Sequence, residues 1–271
     1  MPVKAKLQIT TVVRNGKTTL KQSFCTHPFK LANITEDRRS AALHLMIRSS
    51  SPGVLDEDEY DIQLAIAAKG SVVLQTQSYQ RLFLMKRGAS QTMEVMLSEE
   101  ASLQYLPHPI VPHAGSIFSS HNKIYLSNRC TLIWGEVLSC GRKENGELFQ
   151  FTSYHAITEI FQEGKLVVKE NLWLIPASGA VTGIGQLEGY SHQATLLYIK
   201  EDIDCMDLVS CLVSLLQNDD TISFGVSQLP VNGIIVRLLG YKADQLFTIV
   251  NQLAHYIENK YRITTKFMID A

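Results

Sequence analysis

The stretch Leu103–Phe151 reads LQYLPHPIVPHAGSIFSSHNKIYLSNRCTLIWGEVLSCGRKENGELFQF. Short runs of alternating polar and apolar residues are separated by turns containing Pro, Gly and Asn, the rhythm of strands rather than helices. One of these strands, Leu132 to Leu138, is almost continuously apolar and yet holds a carboxylate, Glu136, between Gly135 and Val137. An isolated ionised group in such surroundings is costly to bury, so Glu136 needs a partner, a cation or water. Arg142, just after Gly141, is a cation that could neutralise it.

Outward from this stretch the same pattern predicts strands at Lys6 to Val13, Ala41 to Ile47, Tyr60 to Ala68, Val72 to Gln77 and Gln91 to Leu97. It continues at Lys123 to Leu126, Thr131 to Leu138, Phe149 to Phe161 and Leu166 to Leu174. Asn15-Gly16 and Glu163-Gly164 look like hairpin turns. No βαβ rhythm and no solenoid repeat stands out. Near the C-terminus the period changes: Met206 to Gln217 and Ala243 to Tyr261 place apolar residues at helical spacing, with Ser223 to Leu229 and Gly233 to Leu239 as strands between them. The expectation is a mainly β protein of many short strands with about two C-terminal helices. The chain is read as one domain, β-rich over 1–175 and mixed over 190–271. Ser178 to Gly189, rich in Gly, is the most loop-like connection.

With 25 basic and 26 acidic residues the formal net charge is −1, so no long-range field draws the surface to nucleic acid or to an anionic membrane. Charged residues interrupt every apolar segment before it reaches the length of a membrane helix. The first ten residues have no signal-peptide core, and the five scattered cysteines fit reduced thiols. These features predict a soluble, cytoplasmic protein.

The nucleotide and hydrolase signatures are absent, among them the Walker loop, G-x-S-x-G and H-E-x-x-H, so no enzyme is expected. His108 and His113 share a Pro-rich loop, where they are either metal-facing imidazoles or solvated side chains. The run Asp56, Glu57, Asp58, Glu59 and Asp61 offers oxygen to a hard or borderline cation, or is a solvated loop tip leading into a strand. Asp61 and Gln63 lie on the strand face opposite Tyr60, Ile62 and Leu64; Glu170 lies on another alternating strand. Those faces are either wet exterior or the lining of a channel. Met206 to Gln217 is apolar over much of its circumference, which suits full burial or an interface.

Six segments in order resemble the urease accessory protein D family (UreD, also called UreH). They are FCTHPFKL at Phe24 to Leu31, SSSPGVLDEDEYDIQL at Ser49 to Leu64, QTQSYQRL at Gln75 to Leu82, LQYLPHPIVPHAGS at Leu103 to Ser116, WGEVLSCGRKENGELFQF at Trp134 to Phe151, and FGVSQLPVNGIIVRLLG at Phe224 to Gly240. The resemblance implies a β-helix-like arrangement of strands with a few C-terminal helices. It also implies a non-catalytic factor that binds apo-urease with accessory proteins F and G, the latter a GTPase carrying nickel. An acid- and hydroxyl-lined internal tunnel is the implied nickel path. By position Asp58 matches the acid of the family's Ser-Pro-Gly turn and Glu136 that of its W-x-E strand, while Asp61 and Glu170 fall in segments that often hold acids. Departures are Glu57 and Val54, where the family has glycines, which implies a looser and more acidic turn, and His108, where it often has an acid.

Scattered oxygen ligands suit a metal in transit better than a tight His/Cys cluster would. Two other readings fit the residues: a hydrolase or lyase using a carboxylate pair on a β-helix, and a purely structural interaction protein.

Overall fold

Strands that alternate at period two need something to bury one face against, and here two sheets supply it for each other. The computed structural model describes residues 2–37, 39–179 and 181–267, with side chains as far as 261. The chain opens with two antiparallel pairs, β1 (Lys4–Arg14) with β2 (Lys17–Cys25), and β3 (Phe29–Asn33) with β4 (Leu43–Ser49). It then winds from sheet to sheet through β5 (Glu59–Ile66), β6 (Ser71–Thr76), β7 (Gln80–Leu82), β8 (Ala89–Leu97), β9 (Ser102–Tyr105), β10 (Ile110–Pro112), β11 (Ile117–Leu126), β12 (Thr131–Ser139) and β13 (Ser153–Gln162). β14 (Lys165–Leu174), β15 (His192–Lys200), α1 (Cys205–Leu216), β16 (Ser223–Gln228), β17 (Gly233–Gly240) and α2 (Ala243–Phe267) complete it.

One sheet runs β14-β13-β11-β8-β5-β1-β2 and the other β16-β17-β15-β12-β9-β6-β4-β3. The winding strands pair in parallel, because the chain returns to each sheet in the same direction on every coil. The fold is thus mainly β, with the helices in the C-terminal part. Leu43, Val72, Leu103 and Leu132 lie in register across β4, β6, β9 and β12, at steps of 29, 31 and 29 residues. A coil of about thirty residues therefore exists without a visible sequence repeat. Each level asks only for an inward apolar side chain, and the connections between levels vary.

Between the sheets lies the larger core, with Leu7, Leu64, Leu74, Leu103 and Trp134 fully enclosed. The second sheet is covered on its other face too, where Ile133, Val137, Leu196 and Val236 meet Leu208 and Leu212 of α1 and Leu246, Val250 and Leu253 of α2. This double cover explains the apolar run of β12: a strand buried on both faces loses its alternation. α1 buries only the stripe Leu208, Leu212 and Leu216 and exposes Met206 and Leu215, so it is not engulfed. Among the described residues no helix is long and apolar enough to cross a membrane.

Several expectations change. β3, β7, β9, β10 and β15 have no counterpart among the strands read from sequence, and the strand read from Phe149 begins only at Ser153. The Gly-rich segment after Ser178 is anchored, since Val181 and Leu187 are buried in the core. The two hairpin turns are as anticipated, with positive φ at Asn15, Gly16, Glu163 and Gly164.

Gly53 sets the entry to β5. Val54 donates its N–H to the Arg81 carbonyl at 2.8 Å and accepts from Phe83 at 3.0 Å, which clamps the Ser-Pro-Gly turn against the segment after β7. A Cβ on Gly53 would overlap the Arg81 carbonyl oxygen and the Phe83 ring. Gly53→Ala should cost about 1–3 kcal/mol through overpacking, seen as a lower urea midpoint with an unchanged slope.

Candidate functional site

The inward row across the first sheet runs Leu7, Ile62, Met93, Asn122, Thr158, Glu170, one residue from each of β1, β5, β8, β11, β13 and β14. It is apolar through Met93 and polar from Asn122 onward. Opposite the polar half, β12, β15 and β17 contribute the row Glu136, Thr195, Arg237. Between these polar halves is a cavity of about 540 Å³, lined among others by Glu136, Thr158, Glu170, Thr195 and Arg237.

Period two along β12 sends Leu132, Trp134, Glu136 and Leu138 to the intersheet side and Ile133 and Val137 to the helices. Glu136 is enclosed by protein but keeps surface toward the cavity. Its Oε1 accepts three hydrogen bonds: from Trp134 Nε1 at 2.8 Å, Thr158 Oγ1 at 2.8 Å and Asn122 Nδ2 at 3.3 Å. Asn122 also donates to Thr158 Oγ1 at 3.0 Å, which fixes the direction of the hydroxyl. No described residue donates to Oε2. Desolvation pushes the Glu136 carboxyl above its ordinary range; the bonds from Trp134, Thr158 and Asn122 pull it back, and the charge of Glu170 raises it further.

Glu170 reaches the cavity from the edge strand β14 and is held by Arg237, whose Nη2 lies 2.8 Å from Oε1 and 2.7 Å from Oε2. Arg142 is not the counter-ion of Glu136. It pairs with Glu147 five residues on, a bond that leaves its guanidinium half-exposed and holds the Glu147 carboxyl below its usual range. Sequence proximity pointed to Arg142; the residues that serve Glu136 come from β11 and β13 of the facing sheet.

The acidic run stands apart from the cavity, each member with its own partner. Asp56 Oδ1 accepts from the backbone N–H groups of Arg87 and Gly88, both at 2.9 Å, and Glu57 pairs with the Arg87 guanidinium. Glu57 sits at φ +66°, the left-handed region where the family's glycine would be comfortable, so the turn keeps its tight form with glutamate in it. Asp58 is 2% exposed: Oδ1 accepts from Val3 N–H at 3.0 Å, and Oδ2 from Leu55 N–H at 2.8 Å and Tyr60 O–H at 3.3 Å. Glu59 pairs with Lys4, and Asp61 lies on the outer sheet face 3.5 Å from Lys6. Thus Glu136 and Glu170 share the cavity, whereas Asp58 ties the N-terminus to the turn and Asp61 bridges two strands outside.

The histidines of the Pro-rich loop are packed individually. His108 Nδ1 lies 3.1 Å from Thr76 Oγ1 and its ring stacks on Phe247 of α2 at 4.8 Å. His113 packs edge-on against Phe83. Burial lowers both imidazole pKa values. Among the described residues no three His, Cys, Asp or Glu side chains are grouped to hold a metal ion.

The family model described as UreD urease accessory protein matches residues 3–266. The chain belongs to that family. A urease accessory protein UreD of Flavobacterium johnsoniae is 46% identical over 245 residues, covering 89% of this chain and 88% of the relative. The UreD of Acetivibrio thermocellus is 34% identical over 254 residues, covering 93% and 97%, and that of Haemophilus influenzae 32% over 268 residues, covering 94% and 99%. As a UreD family member the chain meets the cavity with a residue that sequence reasoning missed, Arg237. In GIIVRLLG it reads as one cation on an otherwise apolar strand, and only its pairing with a cavity acid distinguishes it.

Glu136 also gives this UreD-family chain a pH signature. A folded-state pKa above the unfolded value means that stability is fully present below the ordinary carboxylate range, about pH 4, and is lost as pH rises through the raised pKa. Relative to Glu136→Gln, the parent should therefore lose stability progressively as pH rises above 4, read from urea midpoints of both proteins at each pH. A pH-independent difference would mean that Glu136 titrates as an ordinary carboxyl.

Proposed function

We propose that this chain is a non-catalytic maturation factor that binds apo-urease together with accessory proteins F and G and lets nickel pass through the intersheet cavity beside Glu136. The observation that carries the proposal is Glu136 itself: a carboxyl inside the fold, with Oε1 fully used by the protein and Oε2 left to whatever occupies the cavity. Hydroxyl and carboxylate oxygens suit a borderline divalent cation weakly, and among the described residues no cysteine or histidine lines the cavity to retain it. Proton competition weakens binding further, because a metal meeting a carboxyl of raised pKa has to displace its proton. The relatives are named urease accessory proteins, which makes urease and its other accessory proteins the partners to test.

On this proposal the route engages Glu136 and Glu170. Asp58 acts as a structural tie, since both its oxygens are committed to Val3, Leu55 and Tyr60, while Asp61, paired with Lys6 on the outer sheet face, lies away from the cavity.

Co-expression with urease and accessory proteins F and G, followed by affinity purification through this chain, should recover urease in the complex. Glu136→Gln keeps a carbonyl acceptor for Trp134, Thr158 and Asn122, so the complex should still form while nickel per urease falls several-fold. Undiminished nickel loading would remove Glu136 from the route. Failure to recover urease would overturn the scaffold role.

A further inference from the structure

The ion pair between Glu170 and Arg237 joins the two sheets across the cavity, from β14 on one side to β17 on the other. Its side chains are 29% and 60% exposed, so it stands at the wet mouth, whereas Asn122 and Thr158 are buried deeper in. Thr158 is the cross-strand neighbour of Glu170 and at the same time donates to Glu136. The two carboxylates and this hydroxyl therefore line the same cavity. With Arg237 absent, two carboxyl groups and a hydroxyl would be open to a divalent cation together, an oxygen-rich combination that holds such an ion rather than releasing it. Arg237 prevents this, because its Nη2 is bonded to both oxygens of Glu170.

We infer that Arg237 is a positioning residue that keeps the cavity mouth transmissive: it occupies Glu170, so that a passing divalent cation meets one carboxylate at a time and is not captured. The inference rests on the conduit proposed above and adds to it the residue that sets retention against release.

The test is equilibrium dialysis of Ni²⁺ against the purified full chain, paired with the Ni²⁺-induced rise in unfolding temperature. Arg237→Gln should bind Ni²⁺ at least tenfold more tightly than the parent. The double variant Arg237→Gln with Glu170→Gln should lose that gain, and the exchange Arg237→Glu with Glu170→Arg, which restores the pair, should bind like the parent. Arg237→Met, which keeps the aliphatic stem, replaces the glutamine variant should the latter not fold. Affinity within twofold of the parent in Arg237→Gln or Arg237→Met would overturn the inference, as would a gain that survives loss of Glu170. A purely architectural role for Arg237 would lower the unfolding temperature without raising Ni²⁺ affinity. The two levels fail separately: loading of urease that ignores Glu136→Gln sinks the conduit, while a null dialysis result beside Glu136-dependent loading sinks only the role of Arg237.

Discussion

Burial of β12 on both faces is the constraint from which the rest of the structure follows. One face must complete the intersheet core begun by the preceding coils, and the other must receive α2, so neither is left for ordinary solvated side chains. At Gly135 the missing side chain leaves room for Leu106 and Val250 to close over the strand. A carboxyl placed in this strand cannot reach bulk water by rotating outward. It has to be satisfied across the interior, and that requirement fixes Asn122 and Thr158 on the opposite sheet and the Trp134 indole beside it. Around Oε1 the network is closed, and there each member holds the next in one orientation.

The interior is graded along the axis of the coils. At the level that runs from Leu7 through Ile62 and Met93, side chains fill the space between the sheets; beyond Met93 amide, hydroxyl and carboxyl groups take over, and space opens. The cavity lies among the last coil and the strands that follow it. This separation explains why the acids of the different segments have different surroundings here. Asp58 lies at the entry to β5, where the interior is dry, and serves the backbone; Glu136 and Glu170 lie where the interior is wet.

Much of this was legible in the sequence, and the limits have physical causes. Alternation in Tyr60 to Ile66 and the dipeptides Asn15-Gly16 and Glu163-Gly164 are local signals, and they led to the right elements. Glu136 was visible as an anomaly because its immediate neighbours are apolar. What the sequence concealed is long-range. The thirty-residue coil leaves no repeat, since stacked levels share only apolar character. The partners of Glu136 lie 14 and 22 residues away on other strands, so a search along the chain reached Arg142 instead. Arg237 was invisible for the same reason, being paired with an acid 67 positions distant. For the turn acids the sequence left a cation patch and a solvated loop tip open, because their partners, from Val3 to Arg87, are assembled only in the folded chain.

The antiparallel pairs at the ends of the coil stack have a consequence for self-association. A stack of parallel coils presents an open edge at each end that could accept the edge of another copy, the geometry of an open filament. Here the direction of the chain reverses at every end: β2 folds back on β1, β3 on β4, β14 on β13, and the strands beyond β12 are all antiparallel. A second copy laid end to end would meet strands running in the wrong sense to extend the winding. The hairpins therefore end the parallel winding at both ends of the stack.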